Sequence, residues 1–420
     1  MFNKLRAEAA HFRQQPRNFR VLVLTNLIYA FVLPVIDIFV AAYVMRNSND
    51  PVKVVVYQLT IYTGIPLTFL LNGYLLNRIN IKTLYSVGMM LSAVSMTIMM
   101  SLKTLDIAGI AVAGLTMGMS FGFYWANRDY LALAITHDGN RNYYYGLETF
   151  FYTLIAVLVP IGIGWFIEWV GHTGGEANAA YRIVTLAVFI TTVIASVMCF
   201  RGTFSNPARQ RFIYFKFHPQ WYRLLLLASL KGLAQGFLVT APAMLIMRLV
   251  GQEGALGTAQ SVGAIVAAII MYILGRRTQP SHRLLIFGIG LGCFALAALI
   301  NGLLFNAFGV LLFMLFLLIA KPLLDLAYFP IQFRVIDILK RIENRHEFAY
   351  ILNHEAGLYT GRLLGAFTFI ALAVYISEEA ALRYAIILIA LLQLCSIFVA
   401  KRLLRGNTEL SKQLPADKPY

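Results

Sequence analysis

Five ionisable side chains occupy positions where a charge is hard to keep. Asp37, Lys231, Lys321, Asp325 and Arg362 each lie inside a long apolar run of this 420-residue chain. A charge at bilayer depth is expensive, and by default it marks either a pair or a working site. Three chemistries suit these residue types. A carboxylate with no cation nearby in its own run, such as Asp37, takes up a proton readily once it leaves water. Lys321 and Asp325 stand four residues apart, on one helix face, and can pair directly. Pro322 between them predicts a kink and a freed carbonyl. The planar guanidinium of Arg362 suits a two-point grip on a carboxylate or phosphate. Lys231 and Gln235 again fall one turn apart. The five charges leave a surplus of one cation, which fits an anionic or zwitterionic solute better than a cationic one. If the lysines and aspartates are simply mutual pairs, only Arg362 speaks for the charge of a solute.

A second set sits nearer the helix ends. Glu148 and Glu355 occupy matching places in the two halves of the chain, with Arg128 and Arg334 as cations within reach. Such pairs read either as gates that break and reform or as static interfacial salt bridges. Asp37, Asp325 and Glu148 are the candidates for proton coupling. Tyr29, Gln58, Tyr62, Trp125, Asn127 and Tyr328 could stack on or hydrogen-bond a small ligand, although each singly is better explained by packing or an interfacial aromatic belt. Gly114, Gly118 and Gly122 recur every four residues and predict close helix contact.

Enzyme signatures do not appear. There is no phosphate-cradling glycine loop ending in Lys-Ser/Thr, no Gly-x-Ser-x-Gly elbow and no Cys-x-x-Cys. His137, His172, His218, His282, His346 and His354 show no metal-ligand spacing, and His354-Glu355 lacks a second histidine four residues on. No cofactor or metal is implied. Three cysteines cannot build a disulfide framework, and Cys199, Cys293 and Cys395 read as small buried hydrophobes.

The elements that must hold these groups follow from composition. The chain is 59% hydrophobic and only 13% charged, about half the charged share of a soluble domain. It reads as a polytopic membrane protein. A span needs about 20 apolar residues, and twelve such runs are present, near 20–45, 52–76, 83–101, 106–135, 143–169, 182–200, 223–248, 255–275, 284–301, 307–338, 348–376 and 381–400. Lys and Arg are distributed very unevenly about these runs: 26 lie in the tails and even-numbered loops and six in the odd-numbered ones. Positive loops stay in the cytoplasm, so both termini are expected there, in an inner (plasma) membrane. The net charge of +16 is then a topology signal, with the lipid bilayer as partner and no nucleic acid. Met1–Arg20 is polar and basic, so the first span rather than a cleavable leader is expected to direct insertion; residues 2–14 could form an amphipathic surface helix.

The longest connection, 201–222, carries Asn206-Pro207 and His218-Pro219, both turn-forming pairs. It divides the chain into a six-helix bundle over 1–200, a cytoplasmic linker over 201–222, and a second six-helix bundle with a cytoplasmic tail over 223–420. Sliding the sequence by 207 residues places Tyr143 on Tyr350 and Glu148 on Glu355, a weak internal repeat. The turn after the second run reads Gly73-Tyr74-Leu75-Leu76-Asn77-Arg78-Ile79-Asn80-Ile81-Lys82. It resembles the helix 2–3 motif of the major facilitator superfamily, Gly-x-Leu-x-Asp-Arg-x-Gly-Arg-Arg/Lys. Gly73, Leu75, Arg78 and Lys82 match, while Asn77, Asn80 and Ile81 depart from the motif. Loss of the aspartate leaves the partner of Arg78 open.

The resemblance implies an all-α membrane fold, two six-helix bundles (6+6 transmembrane helices) with pseudo-two-fold symmetry about the membrane normal. In that family spans 1, 4, 7 and 10 line a central path, which implies that Asp37, Lys231, Lys321 and Asp325 face it. The expected function is secondary active transport of a small polar, anionic or zwitterionic, organic solute by a monomer, through alternating access coupled to protons. The expected binding residues are Tyr29, Gln58, Trp125, Asn127, Lys231, Gln235, Lys321, Tyr328 and Arg362, with Arg78, Arg128, Arg334 and Glu355 as gating residues. Val159-Pro160-Ile161-Gly162-Ile163-Gly164 resembles the proline-glycine motif of drug-efflux members without its leading glycine, so multidrug or metabolite efflux is the alternative.

Overall fold

The computed structural model describes residues 2–174, 176–207, 214–345 and 347–413. All regular elements among them are helices, as expected where hydrocarbon offers backbone groups no other partner. Twelve are long and apolar enough to cross a membrane. They run Arg17–Ser48, Pro51–Leu75, Ile81–Ser101, Ile107–Ile135, Tyr143–His172 and Ala177–Phe200, then Pro219–Leu249, Glu253–Leu274, Arg283–Leu303, Ala307–Glu343, Ala349–Tyr375 and Glu378–Ser411. The last differs most from its apolar run, which ends near residue 400. Hydrophobicity stops at Lys401, but the helix continues on one apolar face, burying Leu403. A separate helix, Phe2–Gln14, forms over the residues expected to lie on the surface.

Side-chain caps set several helix starts. Asp106 accepts from the Gly109 amide at 3.0 Å, Asn306 from Gly309 at 2.9 Å and Ser377 from Ala380 at 3.0 Å, each satisfying a donor the first turn leaves open. Two spans are interrupted by proline. In the first, Pro34 cannot donate to Ala30, and the chain passes through a π-helical turn, Val35–Phe39, before resuming as Val40–Ser48. In the seventh, Pro242 cannot serve Leu238, where one helix ends; the next begins at Ala241. The two prolines are 208 residues apart, almost the slide that aligns Glu148 with Glu355. Interrupted helices at corresponding places of two repeats are a known mark of transporter binding regions.

The chain condenses into two compact units. One comprises Met1–Asn49, Val56–Arg209 and Gln252–Ser261, the other Asp50–Val55, Gln210–Gly251 and Val262–Tyr420. In the first, the expected close contact along Gly114, Gly118 and Gly122 is present. A Cβ at Gly118 would overlap the Ile61 carbonyl, and it would stand 2.8 Å from the Gly64 Cα. In the second unit the seventh and eleventh spans touch in the same way: a side chain at Gly232 would strike the Leu358 carbonyl, and one at Gly361 the Ser229 carbonyl. Small residues permit this approach, and close packing drives helix association in lipid. Trp221, Leu224, Tyr328, Ile331 and Tyr350 centre the second unit's core. Large apolar side chains such as Trp169, Leu186 and Phe398 stay exposed, as a lipid-facing surface requires. Of the three cysteines expected to be buried, Cys199 is buried, Cys293 is half-buried and Cys395 is exposed, in a stretch of helix whose other exposed side chains are apolar, as lipid contact requires.

Candidate functional site

In the first unit Asn26, Tyr85, Arg128, Tyr144 and Glu148 form a connected network on the first, third, fourth and fifth spans. Glu148, 4% exposed, is its centre. Arg128 grips the carboxylate with two nitrogens: Nε donates to Oε1 at 3.3 Å and Nη2 contacts Oε2. Asn26 Nδ2 donates to Oε1 at 2.8 Å, and the Tyr144 hydroxyl lies 3.4 Å from the same oxygen. Tyr85 in turn donates to the Asn26 side-chain oxygen. Arg128 also holds Asp129 at 2.6 Å and lies 5.5 Å from the Trp125 ring. Around this core Tyr29 and Tyr124 pack with centroids 4.4 Å apart, and the Tyr124 and Tyr152 hydroxyls meet at 3.0 Å. Buried polar networks of this kind are rigid when every member is satisfied.

Other expected residues of this unit lie outside that network. Asn127 exchanges amide hydrogen bonds with Asn72 at 2.9 and 3.1 Å and donates to the Phe123 carbonyl, so its amide locks the second span to the fourth. Gln58 is nearly buried on the second span. Asp37 lies on the π-helical turn with its side chain exposed, in electrostatic range of Tyr29 and Tyr57. π turns of this sort occur frequently at functional positions. Arg78 is exposed and stacks 5.7 Å from the Tyr74 ring, with no ion pair among the described residues. Arg46 and Glu253 form a further pair at 2.8 Å, to which Tyr181 adds a hydrogen bond at 3.2 Å; Glu253 is 1% exposed.

The second unit holds two ion pairs. Asp325 takes Lys231 of the seventh span, at 2.7 Å, rather than Lys321 of its own helix. Lys321 is exposed and makes no ion pair among the described residues. The Lys231 ammonium also stands 4.1 Å from the centroids of both Tyr328 and Phe329, a cation–π arrangement that binds it to the tenth span twice over. Beside it, Tyr328 and His354 share a 2.6 Å hydrogen bond, with His354 buried. Arg362 Nε donates to Gln235 at 2.9 Å while Nη1 reaches Glu355 at 3.3 Å. Glu355 therefore pairs along its own helix, two turns from Arg362. Arg334, expected as its cation, is exposed.

The residues brought together are thus Glu148 with Arg128, and Lys231, Asp325 and Tyr328 with a neighbouring Arg362–Gln235–Glu355 group. Asn26, Tyr85, Tyr144 and His354 complete these clusters. A helical-face count around Glu148 could have raised Tyr144, four residues earlier; Asn26 carries no charge to draw attention. No group of three or more metal-ligating side chains occurs among the described residues.

With this geometry in view, three comparisons bear on the chain. The sequence profile described as Major Facilitator Superfamily matches residues 22–332. A Bacillus subtilis (strain 168) relative, "Uncharacterized protein YqgE", is 24% identical over 363 residues, covering 84% of this chain and 82% of its own length. Among solved structures, one of proton dependent oligopeptide transporters has TM-score 0.68 at 12% identity, over 94% of this chain and 99% of that one. A bacterial homologue of the iron transporter ferroportin, in its inward-facing state, has TM-score 0.67 at 14% identity, over 93% and 98%. The nucleoside transporter NupG has TM-score 0.64 at 10% identity, over 93% and 100%. At such identities the likeness is one of fold.

Proposed function

This chain belongs to the Major Facilitator Superfamily, and on that footing we propose that it is a secondary transporter of a small polar, anionic or zwitterionic, organic solute. It works by alternating access, as a monomer in the inner membrane with both termini cytoplasmic, and is coupled to protons. The observation that carries this reading is the set of partly exposed ion pairs on the seventh, tenth and eleventh spans. Lys231, Lys321 and Arg362 together outnumber Asp325 and Glu355 there, and the side chains of both pairs keep some access to solvent. Arg362 supplies the planar donor set that a carboxylate fits, and Lys231 a point charge beside two rings. Gln235, half-buried on the seventh span, adds a hydrogen-bonding amide beside Arg362, whereas Tyr29 and Tyr328, expected as binding residues, are buried.

For the proton, Asp37 on its π turn is the first acceptor. Asp325 and Glu148 each hold a cation, so either can take a proton only by loosening Lys231 or Arg128. That requirement ties protonation to a change of helix contacts, which is what coupling demands. Arg128–Glu148 and Arg362–Glu355 are the gating pairs of the two halves; the internal repeat makes their glutamates equivalent, while the arginines come from different places.

A thermal-shift screen of the purified protein tests the substrate class. Amino acids, short peptides, carboxylates, nucleosides and lipophilic cations are compared on the native protein and on Arg362→Ala. A ligand that binds the folded state raises its melting temperature by mass action. Stabilisation by carboxylate-bearing compounds, abolished in Arg362→Ala, is expected. Stabilisation by lipophilic cations alone would point to efflux instead.

A further inference from the structure

His354 and Glu355 adjoin in the sequence, but about 100° of helix rotation separates their directions. Glu355 reaches Arg362 at 3.3 Å along the eleventh span. His354 instead meets the tenth span, where its Nε2 and the Tyr328 hydroxyl share a 2.6 Å hydrogen bond. Both residues are buried. A buried phenol needs a partner for its hydroxyl, and this imidazole is that partner. The face of the same ring carries the Lys231 ammonium, 4.1 Å from its centroid, and Lys231 in turn holds Asp325 at 2.7 Å. Asp325 and Tyr328 stand three residues apart on one helix face, so one lysine meets both.

Helix packing alone does not fix this arrangement. The seventh and eleventh spans approach closely along their glycines, and Ser229 Oγ donates to the Gly357 carbonyl at 2.9 Å across that seam. The tenth span packs along the ninth, where Gly290 lies against Leu323 and Leu324, and touches the seventh and eleventh only sparsely. Two polar links bridge the sparse contact. Lys231–Asp325 keeps some access to solvent and can exchange a partner for a solute. Tyr328–His354 is shut away from solvent and stays as it is. Phe329, the second ring beside Lys231, is exposed and has no polar end to hold it. Asp325, Glu355 and Arg362 lie in electrostatic range of Tyr328, and Lys231 and Arg362 in range of His354. The buried link thus stands between the two ion pairs of the site.

We propose that His354 is a positioning residue of the solute site: through the Tyr328 hydroxyl it fixes the ring on which the Lys231 ammonium rests, and so holds that charge in place for the anionic group of the solute. An ammonium on a four-carbon stem otherwise samples many rotamers, and ordering it at the moment of binding would weaken affinity. With the ring pinned, that ordering is complete before the solute arrives. When the anion takes the ammonium from Asp325, the ring contact persists. It uses the face of Tyr328 and leaves the Lys231 N–H groups to the new partner. A residue at 354 that could not hold the hydroxyl would leave it buried without a partner and let the ring turn. His354 itself touches no solute. The inference rests on the reading of Lys231 as a solute contact, and its first measurement therefore uses no solute.

The test follows Lys231 directly. The full chain in nanodiscs is treated with formaldehyde and cyanoborohydride, and methylation of Lys231 is timed by peptide mass spectrometry against the exposed Lys321 of the same molecule. The parent is compared with His354→Leu, Tyr328→Phe, both together, and His354→Gln, which keeps an amide where Nε2 stood. Lys231 should react at least about threefold faster in His354→Leu and in Tyr328→Phe, the lower end of what one ring contact supplies. The double variant should react no faster than either single, because all three break one hydrogen bond, and His354→Gln should match the parent. Equal rates in all five proteins, or effects at 354 and 328 that add, overturn the positioning role. Tyr328→Phe keeps the buried shape, so that comparison decides the matter even where His354→Leu does not fold. Affinities for succinate, alanine and dialanine, each beside its carboxamide, are then read by thermal shift. His354→Leu should weaken the carboxylates about 3–10-fold and leave the carboxamides unchanged, whereas a merely structural role would weaken both alike. Faster Lys231 reaction in a protein whose parent binds no carboxylate refutes the solute reading alone. A parent that prefers carboxylates, with Lys231 rates unmoved in the variants, refutes the positioning alone.

Discussion

The pairing of Asp325 is the sharpest point at which geometry and chain proximity disagree, and a double-mutant cycle decides between them. The perturbations are Lys231→Ala, Asp325→Ala, their combination, and Lys321→Ala as control. At 2.7 Å, with an effective dielectric near 20, the Lys231–Asp325 attraction is about 6 kcal/mol. Desolvating the ammonium and the carboxylate offsets much of that, and removing one partner of a fully buried pair typically costs about 3–5 kcal/mol. Here the side chains retain 20% and 28% of their exposure, so solvent screens the pair and a coupling energy of about 1–3 kcal/mol is expected. Lys231→Ala should be the worse single change, since it also removes the contacts to Tyr328 and Phe329, worth about 0.5–2 kcal/mol. Unfolding of the purified variants in mixed detergent–SDS micelles provides the measurement. The double variant should be less destabilised than the two singles added together, while Lys321→Ala unfolds like the parent. Strict additivity at 231 and 325, or a coupling of Asp325 to Lys321 instead, would refute the reasoning.

Three further outcomes are expected. Arg128→Met leaves Glu148 buried with its main counter-charge gone and should cost about 3 kcal/mol or more; Asn26→Ala, which removes a neutral donor, should cost about 1–3 kcal/mol, both read from the same SDS unfolding curves. Gly118→Leu and Gly361→Leu insert bulk where a single Cβ already meets backbone, so both should fail to give a monodisperse peak in size-exclusion chromatography, whereas Gly162→Leu, which meets nothing within 4 Å, should behave as the parent does. Arg46→Ala strands Glu253 and should lower the melting temperature, with Arg46→Ala/Glu253→Gln recovering part of the loss; equal melting temperatures for the single and double variants would contradict the pair.

Much of the fold was legible because the bilayer imposes simple rules. Span number followed from apolar length, and the contact along Gly114, Gly118 and Gly122 followed from four-residue spacing. Arg128 and Glu148 were found together because a short turn brings the ends of the fourth and fifth spans close. Pairing across distant helices was not legible. Lys231 and Asp325 are 94 residues apart, and nothing in the sequence outweighed the nearer Lys321. Four residues advance a helix by about 400°, so neighbours at that spacing differ by about 40° in direction; Asp325 turns toward the seventh span while Lys321 remains exposed. Glu355 did the reverse, pairing with Arg362 seven residues on along its own helix, nearly on the same face, rather than with Arg334 of the tenth span. The matched breaks at Pro34 and Pro242 were readable, because their separation nearly equals the repeat, but a search for charged residues passes over proline. Glu253 was missed because it stands at the start of a span, where a charge reads as ordinary loop chemistry.

The central claim is that a solute gradient and a proton gradient are exchanged through this protein. The direct measurement is uptake of a radiolabelled hit from the thermal-shift screen into proteoliposomes, with the pH gradient imposed inward, outward or not at all. An account based on Asp37, Asp325 and Glu148 predicts accumulation above the equilibrium level only with the inward gradient, and its loss in Asp37→Asn with counterflow retained. Accumulation that ignores the direction of the pH gradient, or no counterflow for any stabilising compound, would contradict it.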